Sequence, residues 1–165
     1  MKIGILGGSF NPPHQGHIFI SKLAVKKLAL KQIWWIPTVQ NPLKENQKNS
    51  YLERINLCEK ILEAEKKIKI YQSKEIYSYK LIINLQKKYP KIEFIWIMGA
   101  DNVKNLHKWK NYKIFIKNIK IAVFSRENYL LKIKRSKIWH FLRKYHPTIF
   151  LSNKLDISSS KIREN

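Results

Sequence analysis

This 165-residue sequence predicts an α/β fold built on a doubly wound, mostly parallel sheet. Three observations carry that prediction. Short apolar runs of strand length alternate with stretches of helical period. The first run enters a glycine-rich loop that leads into a helix, and open α/β sheets bind ligands beyond the carboxyl ends of their strands. Hydrophobic residues make up 44% of the chain, enough for a sizeable core, and the length fits one domain over residues 1–165.

The first strand covers residues 2–6. Gly7 and Gly8 follow and let a phosphate approach the backbone closely. Ser9, Phe10, Asn11 and two prolines then lead to His14-Gln15-Gly16-His17. Histidines three apart on a first helical turn point to one side, and a helix N-terminus favours anions. The pair lacks a third clustered ligand, so it reads as facing a phosphoryl group rather than a metal. Residues 16–30 have helical period, with Ile20, Leu23, Ala24 and Leu28 on one face. A strand at 32–37 runs into a loop at 38–49, rich in Asn, Gln, Pro and Lys, which carries Lys44.

Ser50 and Glu53 form a capping box that opens a second helix. Its apolar stripe is Leu52, Ile55, Cys58, Ile61 and Leu62, which makes Cys58 a core residue. A strand at 68–71 and a helix from about 77 to 88, halted before Pro90, come next. The strand at 93–98 is apolar enough to be central. Gly99-Ala100-Asp101-Asn102 at its end puts a carboxylate on the ligand side, able to accept from ribose hydroxyls or cation-bound water, or to cap a helix. Strands at 120–124 and 148–151 complete the alternation. Residues 128–146 mix Lys, Arg, Trp and His in an amphipathic pattern that reads as a solvated helix face. The block DISSSKIR at 156–163 offers hydroxyls, free amides and the forked cation of Arg163.

Composition narrows the class. Thirty-three Lys and Arg against 11 Asp and Glu give a net charge of +22. The lysines are spread along the chain beside abundant Ile, Asn and Tyr, so the charge reads as compositional bias rather than a dedicated nucleic-acid arm. Its field would still attract phosphorylated ligands and allow non-specific nucleic-acid binding. The single Cys58 excludes an internal disulfide and fits a cytoplasmic location. No signal peptide precedes the first strand, and no apolar run approaches the roughly 20 residues of a membrane span, so no membrane partner is expected.

GGSFNPPHQGH at 7–17, GADN at 99–102 with His107 and Trp109 beyond it, and ISSSKIR at 157–163 together resemble the bacterial nicotinate-nucleotide adenylyltransferases. These belong to the HxGH nucleotidyltransferase superfamily. Asn11 stands where that family usually has Asp, and Ser160 where the superfamily has Thr. The resemblance implies a Rossmann-like nucleotidyltransferase fold and adenylyl transfer from ATP to nicotinate mononucleotide, giving deamido-NAD and pyrophosphate. It implies His14 and His17 as catalytic residues, His17 on the α-phosphate and His14 on the β- or γ-phosphate. ATP would be held by Gly7, Gly8, Ser9, Phe10, Lys44, Ser159, Ser160, Ile162 and Arg163. Ser78, Asp101 and Trp109 would bind the acceptor, with Trp109 bordering the pyridine ring. Mg²⁺ would ride mainly on the ATP phosphates, with no protein metal cage.

Two departures bear on this. Family members usually carry a Thr-rich YTxDT before the third helix; here residues 77–81 (YSYKL) keep a hydroxyl at Ser78 but lose the acidic residue and second Thr. The sequence stops two residues past Arg163, where most members continue with a helix, so a frayed final helix and weaker ATP binding are expected. Two rivals compete. Phosphopantetheine adenylyltransferase usually has Thr at the position of His14 and lacks the double proline. A basic RNA-binding protein on an inactive fold would have no reason to retain His14, His17, Lys44, Asp101, Ser159 and Arg163.

Overall fold

The computed structural model describes residues 1–39, 49–125 and 127–152. Among these, six strands form one parallel sheet: β1 (Lys2–Gly8), β2 (Gln32–Pro37), β3 (Ile68–Ile70), β4 (Glu93–Gly99), β5 (Lys120–Ser125) and β6 (Thr148–Leu151). Their order across the sheet is β3-β2-β1-β4-β5-β6. The order reverses between β1 and β4, and the carboxyl ends of strands that flank such a switch point open onto a crevice. Ile3 pairs with Gln32 on one side of β1 and with Phe94 on the other, so β1 is central.

Successive residues of a strand face opposite sides of the sheet, and here both sides are covered. On β4, Phe94, Trp96 and Met98 enter one core while Ile95 and Ile97 enter the other. Helices α1 (Gln15–Lys27) and α2 (Tyr51–Leu62) cover the second face through Ile18, Ala24, Cys58 and Leu62. The first face is covered by α3 (Ser78–Lys88), α4 (Ala100–Asn105), α5 (Tyr112–Asn118), α6 (Glu127–Lys134) and α7 (Lys137–Leu142). The crossover after β3 thus changes face, which makes the sheet doubly wound, as the sequence predicts.

Several boundaries and faces differ from the sequence expectation. Helix α1 ends at Lys27 rather than running to residue 30, because Ala29 adopts a left-handed φ of 50° and turns the chain toward β2. Its fully buried residues are Ile18, Ser21 and Ala24, with Ile20, Leu23 and Leu28 packed partly buried beside them. The Ser50–Glu53 capping box is present, Glu53 Oε2 accepting from the Ser50 amide at 2.6 Å. Leu52, however, is 70% exposed, and Arg54 takes the buried place in that first turn. Cys58 is buried as expected. The stretch at 128–146 is not only a solvated face: Leu130, Ile133, Ile138, Trp139 and Leu142 are buried and close the core over α4, leaving the basic residues outside. No described helix is long and apolar enough to cross a membrane.

Candidate active site

The loop between β1 and α1 emerges at the switch point. Its last strand residue but one, Gly7, has no room for a side chain: a Cβ there would lie 2.5 Å from the Trp96 ring on β4. That glycine serves close packing of two strands, whereas a Cβ at Gly8 would meet only ordinary contacts with the Phe10 ring. Phe10 sits at a left-handed φ of 47°, a costly conformation for a bulky residue. Burial holds it there: its ring is 1% exposed and stacks on Trp35 at a centroid distance of 4.8 Å.

His14 is the N-cap of α1 and, unusually, the cap uses imidazoles. His14 Nδ1 accepts from the Gly16 amide at 3.1 Å, and His17 Nδ1 accepts from the His14 amide at 3.1 Å. Two orphan amides of the helix start are thereby satisfied. An Nδ1 that accepts a hydrogen bond carries no proton, so each neutral imidazole holds its hydrogen on Nε2. The rings lie 3.8 Å apart. Burial lowers the His14 pKa to about 4. Burial first, then repulsion from His14, lowers that of His17 to about 3. At neutral pH the pair is uncharged and presents N–H donors.

His17 is braced from behind. Phe10 lies at 4.8 Å and Trp35 at 5.7 Å, ring to ring. Trp35 Nε1 donates to Ser21 Oγ at 2.8 Å, and Ser21 Oγ donates to the His17 carbonyl at 2.8 Å. The sequence expectation omits Ser21 and Trp35. The legible signal for Ser21 is a lone hydroxyl on the buried side of a helix, four residues past His17.

The expected residues fall in four places. Gly7, Gly8, Ser9, Phe10, His14 and His17 lie together in the β1–α1 connection. Asp101 sits in the first turn of α4, just past β4 and so on the other flank of the switch point, exposed, with its carboxylate folded back over Gly99. Trp109 is half-buried and meets Trp96 edge-on at 5.9 Å, so Trp96 links it to Gly7. Trp109 is thus partly core and partly available to a ligand. His107 is exposed, with Nδ1 3.0 Å from the Lys104 carbonyl oxygen. Ser78 opens α3, half-buried, next to the N-cap residue Tyr77, whose side chain makes no cap hydrogen bond. Lys44, Ser159, Ser160, Ile162 and Arg163 lie outside the described residues. No group of three His, Cys, Asp or Glu able to hold a metal occurs among the described residues.

A sequence model of the cytidylyltransferase-like family matches residues 5–165. A Pelagibacter ubique protein named as a probable nicotinate-nucleotide adenylyltransferase is 40% identical over 166 residues, 99% of this chain and 92% of that protein. A Ruegeria protein of the same name is 39% identical, covering 76% of this chain and 68% of its own length. The Plasmodium falciparum nicotinic acid mononucleotide adenylyltransferase complexed with NaAD superposes with a TM-score of 0.79 at 20% identity, covering 99% of this chain and 82% of that one. The chain therefore belongs to the cytidylyltransferase-like family and, within it, to the nicotinate-nucleotide adenylyltransferases.

Proposed function

We propose that the protein transfers the adenylyl group of ATP to nicotinate mononucleotide, releasing pyrophosphate and forming deamido-NAD. The observation that carries this reading is the imidazole cap of α1 beside the switch point, whose Nδ1 bonds leave both neutral rings with their hydrogen on Nε2, free to serve a phosphate. The names of the relatives supply the acceptor.

The acceptor's 5′-phosphate oxygen attacks the α-phosphorus; one O–P bond forms as the bond to the β-phosphate bridging oxygen breaks, and pyrophosphate leaves. The attacking oxygen is already ionised near neutral pH, so the site needs no general base. Catalysis is positioning and charge stabilisation. His17 Nε2–H serves the α-phosphate as charge builds, and His14 Nε2–H serves the β- or γ-phosphate. The backbone of residues 7–10 cradles phosphate, and Lys44, Ser159, Ser160, Ile162 and Arg163 complete the ATP site. Asp101 accepts from ribose or from water around the cation, Trp109 walls the pyridine ring, and Ser78 borders the same pocket. Asp101, an exposed carboxylate just past β4, would suit Mg²⁺ arriving as MgATP, held on the substrate's own oxygens and water.

Pyrophosphate release from MgATP is the test, with nicotinate mononucleotide, nicotinamide mononucleotide and phosphopantetheine offered separately. Turnover with the first alone is expected; turnover with phosphopantetheine alone would overturn the reading. His17→Ala should lower kcat by about 10²–10³-fold with little change in ATP affinity, as loss of a transition-state donor does. Lost ATP binding at preserved kcat would remove His17 from that role.

A further inference from the structure

Arg54 is the one strongly basic side chain among the described residues that is fully buried, at 0% exposure. It lies in the first turn of α2, and its guanidinium reaches across to two loops. Nη1 donates to the Ser9 carbonyl at 2.6 Å. Nη2 donates to the Thr38 and Val39 carbonyls at 2.8 and 3.1 Å. The Tyr51 ring covers it at 5.5 Å. No carboxylate among the described residues pairs with it, and its Nε–H has no partner. Burial pulls its pKa below the usual value.

A buried cation without a counter-ion is costly, and carbonyl dipoles offset only part of that cost. Where the carbonyls come from gives the cost a purpose. Ser9 belongs to the loop that ends β1, while Thr38 and Val39 begin the loop that ends β2. The two are also joined by the Thr38 amide donating to the Gly8 carbonyl at 2.9 Å. In a trans peptide the carbonyl and the following N–H point in opposite directions. With the Ser9 carbonyl drawn down onto the guanidinium, the Phe10 amide is turned away from Arg54.

Resting on the nucleotidyltransferase reading above, we infer that Arg54 is a positioning residue: it sets the Ser9–Phe10 peptide for phosphate binding, and its buried charge takes bound ligand phosphate as counter-ion across that peptide. Two separable properties follow. The charge contributes phosphate affinity, and the forked geometry contributes the loop conformation required for turnover. Lysine would preserve the first and lose most of the second; methionine would lose both.

The experiment compares the full-length parent with Arg54→Lys and Arg54→Met. Each is checked for a cooperative melt, then assayed for inorganic pyrophosphate binding by calorimetry and for adenylyl transfer. Arg54→Met should weaken pyrophosphate binding by roughly tenfold and lower kcat by about 100-fold. Arg54→Lys should hold pyrophosphate within about threefold of the parent while kcat stays low. That split is one a purely structural clamp would not produce. A folded Arg54→Met with parental binding and kcat overturns the inference. If Arg54→Met does not fold, Arg54→Lys decides alone: parental kcat overturns it, and low kcat at near-parental affinity sustains it. A parent that neither binds pyrophosphate nor transfers adenylyl overturns the functional reading itself, and this inference with it; a working parent with indifferent variants overturns this inference only.

Discussion

At the scale of single residues, the histidine pair does two jobs with one ring each. Nδ1 closes the start of α1 and Nε2 carries the donor, so protonating either ring removes a helix cap as well as altering the site. The sign of the pH effect follows. Both folded-state pKa values, about 4 and about 3, lie below the ordinary 6.5, so the unfolded chain binds more protons between them. The stabilisation is therefore complete above about 6.5 and is lost as pH falls toward 4 and then 3. Thermal unfolding followed from about pH 8 to about pH 4 should show a falling midpoint below 6.5. The doubly substituted His14→Asn, His17→Asn protein retains side-chain oxygen acceptors without titrating in this range, and should flatten that fall. An equally steep fall in the double variant would place its cause elsewhere.

The pair was visible in the sequence because spacing alone puts i and i+3 on one side of a helix turn. Arg54 was not. It is one of 33 cationic residues, and the heptad-like stripe through Leu52 and Ile55 offered an apolar explanation of the same turn. Only the tertiary position of Ser9 and Thr38, set by strand pairing, gives a buried guanidinium its acceptors.

At the scale of elements, the close seating of β1 against β4 depends on Gly7 lying against the Trp96 ring. Gly7→Ala should destabilise the protein by about 1–3 kcal/mol, since an aromatic ring fixed on a central strand cannot retreat cheaply. Trp96→Phe trims the ring, so the double variant should recover part of that loss in urea unfolding. Strictly additive losses would mean that the two residues do not compete for that space. The sequence indicated every described strand in order; the central ones, β1, β4 and β5, are buried on both faces and read as apolar runs. It placed Ile55, Cys58, Ile61 and Leu62 of α2 correctly but Leu52 on the wrong side, and it read the segment 128–146 as a solvated face only. There, the buried side is chosen by neighbouring helices rather than by the periodicity of the segment itself.

At the scale of the whole molecule, the sequence carries a net charge of +22, while the two histidines at the start of α1 are neutral. Long-range steering of MgATP therefore comes from a diffuse field that salt screens, with a Debye length of about 10 Å at 0.1 M. The second-order rate kcat/KM for MgATP should fall at least threefold, roughly, between low and high ionic strength, while kcat changes little. A salt-independent kcat/KM would show that local contacts alone govern capture. Charge was wholly legible from composition, but its effect on a ligand depends on where the crevice opens, and that is a property of sheet order.

The packing of Trp35 also makes the protein its own indicator. An indole stacked on Phe10 and edge-on to His17 at 5.7 Å is an emitter beside a titratable quencher, shielded from bulk water. Imidazolium quenches indole emission more strongly than neutral imidazole does. Light from Trp35, isolated by subtracting the spectrum of a Trp35→Phe protein, thus reports the charge of His17 directly. No label is needed to follow that charge as it appears on lowering the pH toward about 3.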